Sequence, residues 1–354
     1  MSRSASRRGA AHVIAIRMTD EPRPSPDLPG FRWSDVVVPL VEQHGGWTAL
    51  ANALVQRSTG LGDALTVEKG LRRLARRGHR EGGRYGRWVL RAFGAPAEIE
   101  AWARWLAQWH SRFTDLPSSI RLEQLRLWDR PPISESRIAA WIHTGIASAH
   151  FTRGELDECL RRLAIARAIA ARHDLDADIE IALFEGRLAG DSGEHERARA
   201  RIDDAEASLA RREIGRADRL AYRARIAGQR AFLRLRPPDG ERRDVEAARA
   251  LYESLEDAHD VPFAACARAN GIAYCAFEMG DRALAVRAAR RAAEHAADGG
   301  LVRFRLMALS FLSRVVEPDE AAEIIARTRR MAKMLDDDEL VRRTEHDALR
   351  RARR

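Results

Sequence analysis

Apolar positions recur along most of the chain at helical rather than alternating spacing, which predicts an all-α protein. Trp47, Leu50, Ala51, Leu54 and Val55 follow i, i+3, i+4, i+7, i+8 and share one face of a helix. After a loop with Gly60 and Gly62, Thr66 stands at a capping position with Glu68 in the first turn. Gly78 marks the end of this second helix. Its apolar face is Val67, Leu71 and Leu74, and its other face carries Lys69, Arg72, Arg73, Arg76, Arg77 and Arg80 in the same rhythm. A third segment, after Gly82-Gly83, turns Tyr85, Trp88, Val89 and Ala92 inward and Arg84, Arg87 and Arg91 outward. Beyond Pro96, Ala97–Phe113 reads as one helix with Trp102, Trp105, Leu106, Trp109 and Phe113 along one side. That stripe is expected to pack against the basic helices.

From Ala140 onward the pattern repeats, with small residues where two helices would cross and a glycine where the chain would turn. The first unit has Ile146, Ala147 and His150, then Gly154, then Leu156, Cys159, Leu163 and Ala166. The second has Gly186 and Ala189, turn Gly193, then Ala198, Ile202 and Ala205. The third has Ala227, Gly228 and Ala231, an insertion at Arg236–Gly240, then Ala247 and Leu251. The fourth has Ile272, Ala273 and Ala276, turn Gly280, then Ala285, Ala289 and Ala292. A fifth, with Ala308, Leu309, Leu312, Ala321, Ile325 and Thr328, lacks the turn glycine.

This spacing resembles the tetratricopeptide (TPR) family, a helix–turn–helix repeat of 34 residues. The resemblance implies an array of antiparallel helical hairpins that binds a peptide or partner protein on the groove lined by the first helix of each hairpin. The same register assigns that groove Trp141, Thr144, Ser148, Phe151, Arg187, Tyr222, Arg225, Gln229, Asn270, Tyr274 and Phe277. Arginine and amide groups flanked by aromatics suit an extended peptide or a terminal carboxylate. The plainer alternative is that Trp141, Phe151 and Phe277 pack against neighbouring helices.

Composition divides the chain. All eight tryptophans lie between Trp33 and Trp141. The expected organisation is a lead-in over 1–30 (Pro22, Pro24, Pro26, Pro29), taken as disordered, and a Trp-rich basic helical domain over 31–115. A linker over 116–136 follows, with Pro117 and Pro131-Pro132, then TPR-like repeats over 137–335 and a C-terminal capping helix over 336–354. The net charge is +9, and 59 of the 61 basic residues are arginine. Such a ratio suits a GC-rich bacterial genome, so only the placement of the arginines bears on function. Leu65–Arg91 holds nine cations against Glu68 and Glu81. An uncompensated arginine stripe is the footprint of phosphate binding. Two short helices, the second basic, loosely resemble a helix-turn-helix unit, although Ser58–Leu65 is longer than the usual turn and no Asn or Gln stands at a base-reading position. The candidate nucleic-acid contacts are Lys69, Arg72, Arg73, Arg76, Arg77, Arg80, Arg84 and Arg87. An acidic protein partner or a merely solvated face remain the alternatives.

Little else carries chemistry. No phosphate loop, HExxH or GxSxG occurs, and Gly190-Asp191-Ser192-Gly193 falls in a predicted turn with no supporting triad. Cys159, Cys266 and Cys275 form no CxxC pair or even disulfide set, which suits a reducing compartment. His143 and His150 share a helix face with no third ligand. Ala10–Ile16 is broken by His12 and lacks a cleavage site, so no signal peptide is expected, and no apolar run is long enough for a membrane span. The expectation is a cytoplasmic, non-enzymatic protein without cofactor or metal. Its expected role is regulatory, coupling partner binding on the array to DNA or RNA binding by the basic domain, an order shared by bacterial regulators with a helix-turn-helix before TPR-like repeats. A pure interaction scaffold, or an accessory subunit of a nucleic-acid-processing or defence complex, is the alternative.

Overall fold

The structure is a computed structural model that describes residues 31–345 apart from Asp174, Asp239, Glu339 and Arg343. The expected lead-in over 1–30 and the end of the capping helix, 346–354, lie outside the described residues. The described residues are helical with no strand among them, and no helix is long and apolar enough to cross a membrane.

Four helices build the N-terminal bundle: α1 (Trp33–His44), α2 (Trp47–Arg57), α3 (Ala64–Ala75) and α4 (Gly83–Phe93). Their shared core gathers Trp33, Val36, Val37, Leu50, Leu54, Val67, Leu71, Leu74 and Val89. The apolar faces expected of α2 and α3 are therefore inside. Helix α1, which carries Pro39 in its interior, was not anticipated. Two details of α3 differ from expectation. Its N-cap is Asp63, whose carboxylate accepts the Thr66 backbone N–H at 2.9 Å and the Thr66 hydroxyl at 2.7 Å. The helix also stops at Ala75 rather than running toward Gly78. There the fully buried Trp33 takes the chain's carbonyls: its backbone N–H donates to Gly78 O and its indole to Arg80 O.

Helix α5 (Ala97–Ala107) is shorter than the expected Ala97–Phe113. It packs on α7 and not on the basic helices, with Ile99, Ala103, Leu106 and Ala107 in a second core. The expected linker is structured. Pro117 sits at the N-cap of α6 (Ser118–Trp128), a place where a missing N–H costs nothing, and a 3-10 turn follows at Ile133–Glu135. The prolines mark the start of a helix instead of a break. The first bundle docks here: Gly82 N–H donates to Glu135 Oε1 at 2.8 Å, and the Phe31 and Trp128 rings lie 5.4 Å apart.

Ten further helices follow in consecutive packed pairs: α7 (Ala139–Thr152) with α8 (Leu156–His173), α9 (Ala177–Asp191) with α10 (His195–Arg211), α11 (Arg216–Leu235) with α12 (Val245–Glu253), α13 (Pro262–Glu278) with α14 (Arg282–Asp298), and α15 (Val302–Val315) with α16 (Pro318–Met334). Gly154, Gly193 and Gly280 join the first, second and fourth pairs at φ +74, +78 and +83, a backbone region that favours glycine. The first helices of successive pairs also touch one another, α7 to α9, α9 to α11, α11 to α13 and α13 to α15. They form a continuous inner face.

Candidate nucleic-acid interface

All eight predicted phosphate contacts are exposed on the surface of α3, the turn after it, and α4. They do not form one helical stripe. Lys69, Arg72 and Arg73 stand on α3, Arg76 caps its C-terminus, Arg77 and Arg80 lie in the turn, and Arg84 and Arg87 are on α4. Arg72 pairs with Glu68 at 2.9 Å and covers the Trp47 ring at 4.8 Å. Glu68 is held below the usual carboxylate range by hydrogen bonds from Thr48 and Arg72. Arg77 donates to the Glu81 carbonyl. Lys69, Arg73, Arg76, Arg80, Arg84 and Arg87 make no ion pair with a described residue.

Several arginines of the paired-helix region have carboxylate partners. Arg167 and Arg201 share Glu185, Arg230 pairs with Asp203 and Glu206, Arg249 with Glu253, and Arg290 with Glu320. These arginines are neutralised locally, whereas others there, such as Arg327, Arg329 and Arg330, are exposed with no ion pair to a described residue, as on α3 and α4. Six cations without an ion pair on α3, the turn after it and α4 raise the local potential and attract a polyanion.

No family model, curated protein or solved structure matches the chain.

The groove expected on the inner face is not open. Residues 108–118 cross it. Gln108 Nε2 reaches the Tyr222 hydroxyl at 3.4 Å, Trp109 N–H donates to Glu180 at 3.1 Å, and His110 Nε2 lies 3.3 Å from Asp218. The His110 ring also meets Tyr222 and Phe263 at 5.0 and 5.4 Å. Farther along, Asp115 accepts the Arg303 backbone N–H at 2.7 Å, and Thr114 O accepts the Arg303 guanidinium at 3.0 and 3.1 Å. Ser118 Oγ donates to Asp336 O at 2.7 Å, and Ser118 N–H donates to Leu335 O. The segment thus spans α9, α11, α13 and α15 and ties the start of α6 to the residue after α16. Asp336 holds a left-handed φ of +49, and although burial would raise its pKa, hydrogen bonds from Ser118 and Ser119 keep it below the usual value.

This occupation corrects the predicted groove lining. Trp141 and Thr144 are buried, as is Ser148, because α7 is enclosed by α5, α6, α8 and α9 and buries every residue but Phe151. Phe151 packs against Trp109 and Phe184, and Arg187 stands over Phe151 while pairing with Asp191. Arg225 makes a buried ion pair with Glu180 at 2.5 Å. Gln229 donates to Leu183 O, and Tyr274 and Phe277 pack on Phe311. Asn270 is half-buried. None of these side chains is exposed.

His143, His150 and the three cysteines are buried. His143 lies among Asp129 and Arg162, and burial lowers its pKa. His150 contacts Glu155 at 2.5 Å. The three cysteines are buried free thiols, with burial pushing Cys159 and Cys266 up to about 12. Gly190–Gly193 spans the end of α9 and its turn. Among the described residues no group of three or more His, Cys, Asp or Glu is placed to hold a metal.

Proposed function

We propose that the chain binds nucleic acid through the cationic face of α3 and α4, which a TPR-like array of helical hairpins carries as a scaffold. One observation supports the reading above others: Lys69, Arg73, Arg76, Arg80, Arg84 and Arg87 are exposed, lie close together in the chain and make no ion pair with a described residue. Support for the TPR-like array comes from the turn glycines at positive φ and from the contacts between successive first helices. The expected coupling of partner binding to nucleic acid changes form. With residues 108–118 lying across the inner face, the array serves as a rigid mount, and its groove is taken by the chain itself. The regulatory role in this reading is that of a nucleic-acid-binding component.

The test compares two charge-matched variants of the full chain. In the first, Lys69, Arg73, Arg76, Arg80 and Arg87 become Gln; in the second, the ion-paired Arg167, Arg201, Arg230, Arg249 and Arg290 become Gln. Both lose five positive charges, and glutamine preserves helix propensity. Fluorescence anisotropy with a labelled oligonucleotide should show binding collapse in the first and largely survive in the second. Equal losses mean that binding is bulk electrostatics, and the interface is not a site.

A further inference from the structure

We infer that the seam between α3 and α4 takes a single-stranded nucleic acid, with bases stacking on Trp88 and the Arg84 guanidinium while Lys69, Arg73 and Arg77 hold the phosphates. The inference rests on the reading above and adds the strand state.

Geometry brings these groups together. The Tyr85 ring is seated directly under Gly70, where a Cβ would lie 2.2 Å from a ring carbon, and its hydroxyl donates to Thr66 O at 3.4 Å. The Thr66–Gly70 side of α3 therefore faces α4, and helical spacing sets Lys69 and Arg73 along the same edge. Arg77 closes the far end, its guanidinium 3.9 Å from the position of a Cβ on Gly83. Trp88 meets Tyr85 edge-on with centroids 5.4 Å apart. Arg84 stands 5.1 Å from the Tyr85 centroid and 5.6 Å from that of Trp88. Tyr85 and Trp88, each half-buried against the bundle core, thus sit beside exposed cations along one seam. Every base offers a π-face to such planes, and a cationic border tracks the backbone.

The duplex alternative fits poorly. A helix entering the major groove presents its N-terminal residues to the bases and its flanks to phosphates. Helix α3 instead has Asp63 at its N-cap, its carboxylate accepting the Thr66 backbone N–H and hydroxyl, and a negative charge there opposes phosphates.

The experiment titrates the full chain with a labelled oligodeoxythymidine of about 20 nucleotides and with a blunt duplex of equal length. The strand should bind about tenfold or more tighter than the duplex at matched salt. Trp88→Leu keeps apolar packing but removes the ring. It should weaken strand binding about five- to 150-fold, the loss to which ~1–3 kcal/mol per stacked base corresponds, and leave duplex binding unchanged. Arg84→Lys, which keeps the charge and removes the plane, is the second variant should Trp88→Leu unfold by circular dichroism, and it should weaken strand binding. Duplex binding equal to strand binding, or strand affinity untouched by the folded variant, overturns the strand inference and leaves the cationic reading standing. No binding of either probe at low salt overturns both.

Discussion

Replacing Arg303 with methionine tests the closure of residues 108–118 on the inner face. Arg303 is 2% exposed, and each part of it is used. Its backbone N–H donates to Asp115, Nε and Nη2 donate to Thr114 O, Nη1 pairs with Asp337, and the guanidinium covers the Trp109 ring at 5.5 Å. Methionine has similar reach and fills the space, so the loss is electrostatic. It leaves the buried Asp337 carboxylate without its cation and Thr114 O without its donors. Breaking a buried pair from one side costs about 3–5 kcal/mol. An unfolding entropy of roughly 2.1 cal/mol/K per residue, over a chain of this length, is about 0.7 kcal/mol/K, so Tm should fall by about 4–7 °C in a thermal melt. Adding Asp337→Asn to Arg303→Met removes the stranded charge while an amide oxygen still caps Leu340 N–H, which Asp337 now accepts at 2.9 Å. That double variant should recover a large part of the loss. A change in Tm below about 1 °C for Arg303→Met, or no recovery in the double variant, refutes the reasoning.

Further expectations bear on other parts of the molecule. Gly280→Val places a β-branched side chain at φ +83 with no heavy atom within 4 Å of its Cβ, so backbone strain alone should cost about 1–3 kcal/mol, read by thermal unfolding. Arg225→Gln leaves Glu180 buried without its cation and should destabilise by about 3–5 kcal/mol; a well-folded variant that merely loses a binding partner would restore the open-groove picture. The lowered pKa of His143 means that the folded protein resists its protonation. Stability from this group is present above pH 6.5 and declines as pH falls, so His143→Gln should flatten the melt-versus-pH curve below 6.5. Asp336 and Glu155 act at lower pH in the same direction, their stability present above the ordinary carboxylate range and lost as pH falls through it.

What was legible in the sequence was local. The i, i+3, i+4 faces of α2 and α3 and the glycines at 154, 193 and 280 follow from backbone and burial preferences that act within a few residues. The end of α3 was not, because it is set by Trp33 taking carbonyls 45 and 47 residues away. Pro117 and Pro131-Pro132 suggested a linker, since a proline before a helix and a proline in a loop look alike without the partner surface. The occupied inner face had no local signal either: Asp115 and Arg303 stand 188 residues apart. A clue to the burial of Trp141 did exist. Helix α7 carries no Asp, Glu, Lys or Arg on any side, and such a helix is enclosed rather than lining a wet groove. The cations from Lys69 to Arg87 are exposed but do not form one stripe, because the turn after Ala75 spreads them over α3 and α4.

The central claim is that a local set of cations engages phosphates, and the salt dependence of binding by the full chain measures it most directly. If about five phosphates are neutralised, the log–log slope of affinity against salt should be near −3.5 on a single strand and near −4.5 on duplex. The variant carrying Gln at 69, 73, 76, 80 and 87 should lose most of that slope, and the five-fold substitution of ion-paired arginines should keep it. A shallow slope in the unaltered chain, or the same steep slope in the variant stripped of its exposed cations, contradicts the account.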